Sequence, residues 1–124
     1  MTKVTRLCSA SNGIVFIYDP GMIIDVPPDT GKGPILTTNN CVSIWTIHED
    51  DGQVELTIAD EDVTDKYELR FSGKIEIAKA RIAFNDSGVN ELIGMPARVG
   101  FVRISVYTDD ALYPEKVLCI VNND

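Results

Sequence analysis

This chain of 124 residues contains a single histidine, His48, and only three cysteines, Cys8, Cys41 and Cys119. One imidazole excludes paired-histidine spacings such as HExxH, on which many zinc hydrolases are built. The cysteines form no CxxC or Cys/His ligand pattern. Each lies in an apolar run (RLCSA, NNCVSIW, VLCIV), where a free thiol behaves as a small buried hydrophobe. Their odd number and wide spacing point to a reducing compartment. No apolar run approaches the ~18 residues of a membrane helix, and MTKVTRLCSASNG lacks the continuous apolar stretch of a secretory leader, so cytoplasmic is the expected location. Positive charge is scarce too, with 11 Lys and Arg against 19 Asp and Glu and a formal net charge of −8. Such a surface repels nucleic acid and anionic membrane, and it steers a basic protein towards it.

What the sequence does have is period-two alternation. In QVELTIA, Val54, Leu56 and Ile58 fall on one face and Gln53, Glu55 and Thr57 on the other. KYELRF repeats the pattern with Tyr67, Leu69 and Phe71. The stretches 13–19, 41–48, 73–78, 99–107 and 116–121 are rich in β-branched and aromatic residues, and KVTRLCS adds a candidate at the start. SNG, DPG, PPDTGKGP, TNN, EDDG, SG and TDD supply turn chemistry between them. NDSGVNELIGMPAR has room for one helical turn capped by Asp86 or Ser87, but Gly88, Gly94 and Pro96 forbid a long helix. The Pro- and Gly-rich segment 20–34 reads as an ordered loop wrapped over one end. The expectation is one all-β domain over 1–124: an antiparallel β-sandwich of about seven or eight short strands with little or no helix.

The densest candidate for chemistry is IHEDDGQVELTIADED, residues 47–62. Neighbouring residues on a strand point apart, so His48 and Glu49 are expected to diverge, and Asp51-Gly52 fits a type I′ hairpin turn between strands 41–48 and 53–59. The run 59–65 lacks the glycine and terminal glutamate of an EF-hand loop. In a meander the two acidic turns lie at opposite ends of the sheet, so one metal cluster is not expected. GKG at 31–33 fails the phosphate-loop pattern, with Val26 and Gly33 at required positions. A pairing of Cys41 with His48 is disfavoured by the apolar strand that holds the thiol. Trp45 is expected in the core, although its strand is apolar on both faces, as a central strand or one meeting a partner would be.

From residue 41 onwards the order of parts resembles a family of small bacterial β-sandwich proteins that includes the inhibitor of the competence nuclease. Gly73, Ile75 and Ile77 match its G-x-V/L-x-V element. Pro96, Gly100, Phe101, Val102, Arg103, Ile104 and Val106 match its proline-led segment with alternating R-x-V residues, and Glu115, Val117, Leu118 and Ile120 its closing strand. The spacing from Pro96 to Gly100 is longer than the family's, and the N-terminal third diverges. The resemblance implies an inhibitor or immunity protein that acts on a nuclease by occlusion, without catalysis.

The charge balance and the resemblance lead to the same expectation: an acidic, non-catalytic, cofactor-free module that binds a basic nuclease or toxin. Its contact residues are expected to be Glu49, Asp50 and Asp51 in one turn and Asp60, Glu61 and Asp62 in the next. The alternative is a metal- or ligand-dependent enzyme whose site assembles from loops around His48. A third reading is a homo-oligomer using the apolar sheet face of Trp45.

Overall fold

The alternating segments pair into two five-stranded sheets in the computed structural model, which describes residues 2–28, 33–61 and 67–122. The first sheet holds, in spatial order, β1 (Lys3–Cys8), β5 (Val54–Ala59), β10 (Lys116–Asn122), β9 (Gly100–Thr108) and β6 (Glu68–Ile77). The second holds β3 (Ile35–Thr37), β4 (Val42–Trp45), β2 (Ile14–Tyr18), β7 (Arg81–Asn85) and β8 (Glu91–Pro96). Among the described pairings all are antiparallel except β5 with β10, where Leu56 lies beside Val117 and Ile58 beside Cys119. A short 3-10 turn, Ser11–Gly13, carries the chain from the first sheet to the second.

The core fills the space between the sheets. Val54, Leu56 and Ile58 point inward as their alternation requires, alongside Val102, Ile104 and Val106 from β9 and Ile75 and Ile77 from β6. Facing them are Val15, Ile17, Val42, Ile44, Ile82 and Phe84 from the second sheet, all essentially without solvent contact. Each such side chain stabilises the fold by about 1.5–3 kcal/mol relative to exposure, and no disulfide contributes because all three cysteines are free and buried.

Several expectations are corrected. There are ten described strands rather than seven or eight. β4 and β5 do not form a hairpin; they lie in different sheets, and 46–53 is a sheet-to-sheet crossover. Its turn closes two residues earlier than expected, with Asp51 N donating to His48 O at 2.8 Å. KYELRF and GKIEIA are one ten-residue strand, β6, that runs through Ser72-Gly73 without turning. A register shift between Leu69 and Phe71 breaks its alternation, which leaves Leu69 exposed and turns Arg70 to donate to Thr108 Oγ1 at 2.9 Å. β5 and β6 are not neighbours, since β10 and β9 stand between them. NDSGVNELIGMPAR supplies no helical turn but the β7–β8 hairpin connection and strand β8. The described part of the 20–34 loop does reach the connections at one end, where Asp25 N donates to Asn40 Oδ1 at 2.9 Å and Ala78 N to Met22 Sδ at 3.2 Å, and Met22, Ile24 and Val26 also line a small cavity with Phe16 and Tyr18 of β2. Most of the 59–65 run and Gly31-Lys32 of GKG lie outside the described residues.

Candidate functional site

Three connections meet at one end of the sandwich. They are the 3-10 turn before β2, the 46–53 crossover after β4, and the 109–115 loop between β9 and β10. Backbone hydrogen bonds join them: Thr46 N donates to Gly13 O at 2.8 Å and Ile47 N to Pro114 O at 3.0 Å. Gly13 is in the left-handed region (φ +66°), and a Cβ there would stand 3.3 Å from the His48 Cα, so the close approach of turn and crossover requires glycine.

Between these connections opens a cleft of about 910 Å³. It is lined by Trp45, Tyr113 and His48 together with Asp51, Asp109, Asp110 and Glu115. No lysine or arginine lines it. Trp45 is therefore half-buried at a strand end and faces the cleft, which corrects its expected place in the core. Tyr113 is 62% exposed.

The 109–115 loop is held by its own acids. Asp109 Oδ1 accepts from Glu115 N and Lys116 N at 3.1 and 3.0 Å. Asp110 Oδ2 accepts from Tyr113 N and Leu112 N at 2.9 and 3.1 Å, and these two N–H groups hold its carboxyl below the usual carboxylate range. The backbone that carries Tyr113 is thus fixed by Asp109 and Asp110.

The expected contact residues separate. Glu49, Asp50 and Asp51 sit in the crossover turn at the cleft end, and only Asp51 lines the cleft. Glu49 Oε1 accepts from Asn12 N at 3.3 Å, which ties the crossover to the 3-10 turn. His48 pairs with neither wall: its Nδ1 accepts from Asp50 N at 3.1 Å and lies 3.5 Å from Asp50 Oδ2. Asp60 and Glu61 follow β5 at the opposite end, where Asp60 Oδ1 accepts from Thr2 N at 2.7 Å. Asp62 lies outside the described residues. Sequence reasoning missed Asp109, Asp110 and Glu115; the signal was there as TDDALYPE, an acidic loop carrying an exposed aromatic.

Charge is graded along β9. At its start, Lys74, Arg98 and Arg103 surround Phe101, with Lys74 directly opposite Arg103 across the β6–β9 pair. At its far end lie Asp109 and Asp110. Among the described residues no three His, Cys, Asp or Glu side chains converge to hold a metal ion. Cys41 and His48 flank opposite ends of β4, so they do not pair. The thiols of Cys41 and Cys119 are pushed up to about 12 by burial, which keeps them protonated and inert as nucleophiles.

No family model matches the chain, and no curated protein sequence matches it. A solved structure does. Across 100% of this chain and 96% of the other, with a TM-score of 0.70 and 10% sequence identity, the protein is similar to ComJ from Bacillus subtilis, described as the inhibitor of the DNA-degrading activity of NucA. The resemblance seen in the sequence from residue 41 therefore holds at the level of fold, and it extends over the N-terminal third as well.

Proposed function

We propose that this protein is a non-catalytic inhibitor that binds a nuclease and occludes its active cleft. The observation that carries the reading is the end-to-end match of fold to a nuclease inhibitor, which spans every described strand and not a shared motif alone. The charge supports it independently: a nuclease cleft built to receive phosphates is positive, and a surface at net −8 presents carboxylates in their place.

In this reading Glu49, Asp50 and Asp51 at the cleft end form the contact together with the cleft itself. Asp60, Glu61 and Asp62 add to the long-range field that steers the partner in. The protein works from the cytoplasm, without metal or cofactor, at one copy per nuclease.

The test is a DNA-degradation assay with a NucA-type nuclease from the same source, titrated with the purified protein. The expected result is loss of cleavage that completes near equimolar protein, with a complex eluting at the summed mass. Undiminished cleavage at excess protein and no complex would overturn the reading.

A further inference from the structure

We infer that the cleft between Trp45 and Tyr113 is a receptor for one arginine side chain of the partner protein. The inference rests on the inhibitor reading only for the source of that side chain. The carboxylates alone would be ordinary solvated surface; the distinguishing feature is that they rim a concavity with two aromatic walls. An aromatic face attracts a cation, most strongly when that face belongs to tryptophan, and a guanidinium both lies flat on a ring and pairs with carboxylate at its edge. At about 910 Å³ the cleft has room for a long side chain with its flanking backbone.

Charge settles the sign of the occupant. Asp51, Asp109, Asp110 and Glu115 line the cleft with no lysine or arginine among them. Among the described residues no donor reaches the side chains of Asp51 or Glu115, so both are open to an incoming guanidinium. The backbone of the wall that carries Tyr113 is positioned in advance. Tyr113 N is held by Asp110, and the neighbouring Pro114 is buried with its carbonyl accepting from Ile47 N. Little ordering remains for the ligand to impose.

The chain's only tryptophan is in this wall, so its emission reports occupancy directly. The probe is the blocked tripeptide acetyl-Gly-Arg-Gly-amide, compared with its citrulline counterpart, which keeps the shape and lacks the charge. The arginine peptide is expected to shift Trp45 emission saturably at about millimolar concentration, with the citrulline peptide about tenfold weaker. The variant Asp51→Asn with Glu115→Gln, which removes two carboxylates that hold no hydrogen bonds, is expected to weaken arginine binding about fivefold or more with an unchanged unfolding temperature. Equal responses to the two peptides, or no change in Trp45 emission, would overturn the inference.

The nuclease is absent from these measurements, which keeps the two readings separable. Peptide binding without nuclease inhibition leaves the cleft standing and removes the inhibitor. Inhibition with an unmoved Trp45 does the reverse.

Discussion

At the scale of single residues, the buried polar and ionisable groups carry the most specific consequences. Cys41 and Cys119 have ordinary thiol values near 9.0 when the chain is unfolded, and about 12 in the folded core. The folded value is raised, so the stabilisation is fully present below pH 9 and is lost as pH rises towards 12. Each thiol is expected to remove about 1.4 kcal/mol of stability per pH unit in that window. Urea unfolding at pH 8, 9, 10 and 11 should show this decline, and it should be shallower in the Cys41→Ala, Cys119→Ala double variant. A parallel decline in both proteins would mean that the thiols do not set the alkaline limit. Asp19 shows the complementary case of a fully buried carboxylate that keeps hydrogen bonds: its two oxygens accept from Gly21 N at 2.9 Å and Lys79 N at 2.7 Å.

At the scale of elements, the β7–β8 hairpin shows how a breaker residue becomes structural. Gly94 stands opposite Ala83, and a Cβ on it would lie 2.9 Å from Arg81 Nη2 and 3.0 Å from the Ile82 carbonyl oxygen. The missing side chain lets Arg81 reach Glu91, with Nε to Oε1 and Nη2 to Oε2 both at 2.7 Å. Those bonds hold the Glu91 carboxyl below its ordinary 4.5, so the pair stabilises above that pH and its contribution is lost as pH falls. Both side chains are more than a third exposed, so the pair itself contributes under about 1 kcal/mol. Gly94→Ala is expected to cost about 1–3 kcal/mol, mostly through crowding, and to return the Glu91 titration to its ordinary value, read by NMR. A stable variant with Glu91 still depressed would show that the arginine passes by another route.

The same hairpin explains what the sequence concealed. Alternation marks β5 and β9 well, because one face of each must be apolar to meet the core. Gly94 and Pro96 read only as residues that forbid a long helix, yet they belong to β8, an edge strand, where a proline at the end costs no ladder hydrogen bond. Ser72-Gly73 read as a turn because those residue types serve turns, and nothing local reveals that β6 continues along β9. EDDG read as a hairpin for the same reason, although the same turn chemistry serves a crossover between sheets. Pairing partners are a long-range property. Thus Asp51 was visible as a candidate while Asp109, Asp110 and Glu115 were not, since only the meeting of three connections makes them neighbours.

At the scale of the whole molecule, the two acidic turns act as separate sources of field. Six residues of β5 stand between them, roughly 20 Å, which is more than two Debye lengths at physiological salt. If the protein binds a nuclease as proposed, charge reversal of Glu49, Asp50 and Asp51 is therefore expected to slow that association about tenfold at physiological salt, whereas reversal of Asp60, Glu61 and Asp62 should matter chiefly at low salt. Stopped-flow association at two ionic strengths measures both. Equal slowing by the two triple variants at physiological salt would remove the cleft end from its favoured place at the interface.

The parallel pairing of β5 with β10 also fixes when this molecule can exist. β10 is the last of the described strands and stands at the centre of the first sheet, with β5 and β1 on one side and β9 and β6 on the other. While it remains inside the ribosome, β1 and β5 have no contact with β9 and β6 in that sheet, and one wall of the core is split down its middle. The nascent chain must then wait, with Leu56, Ile58 and Val106 uncovered, until β10 emerges to join the two halves. The cleft, which includes the loop leading into β10, comes into being at the same moment as the fold and not before.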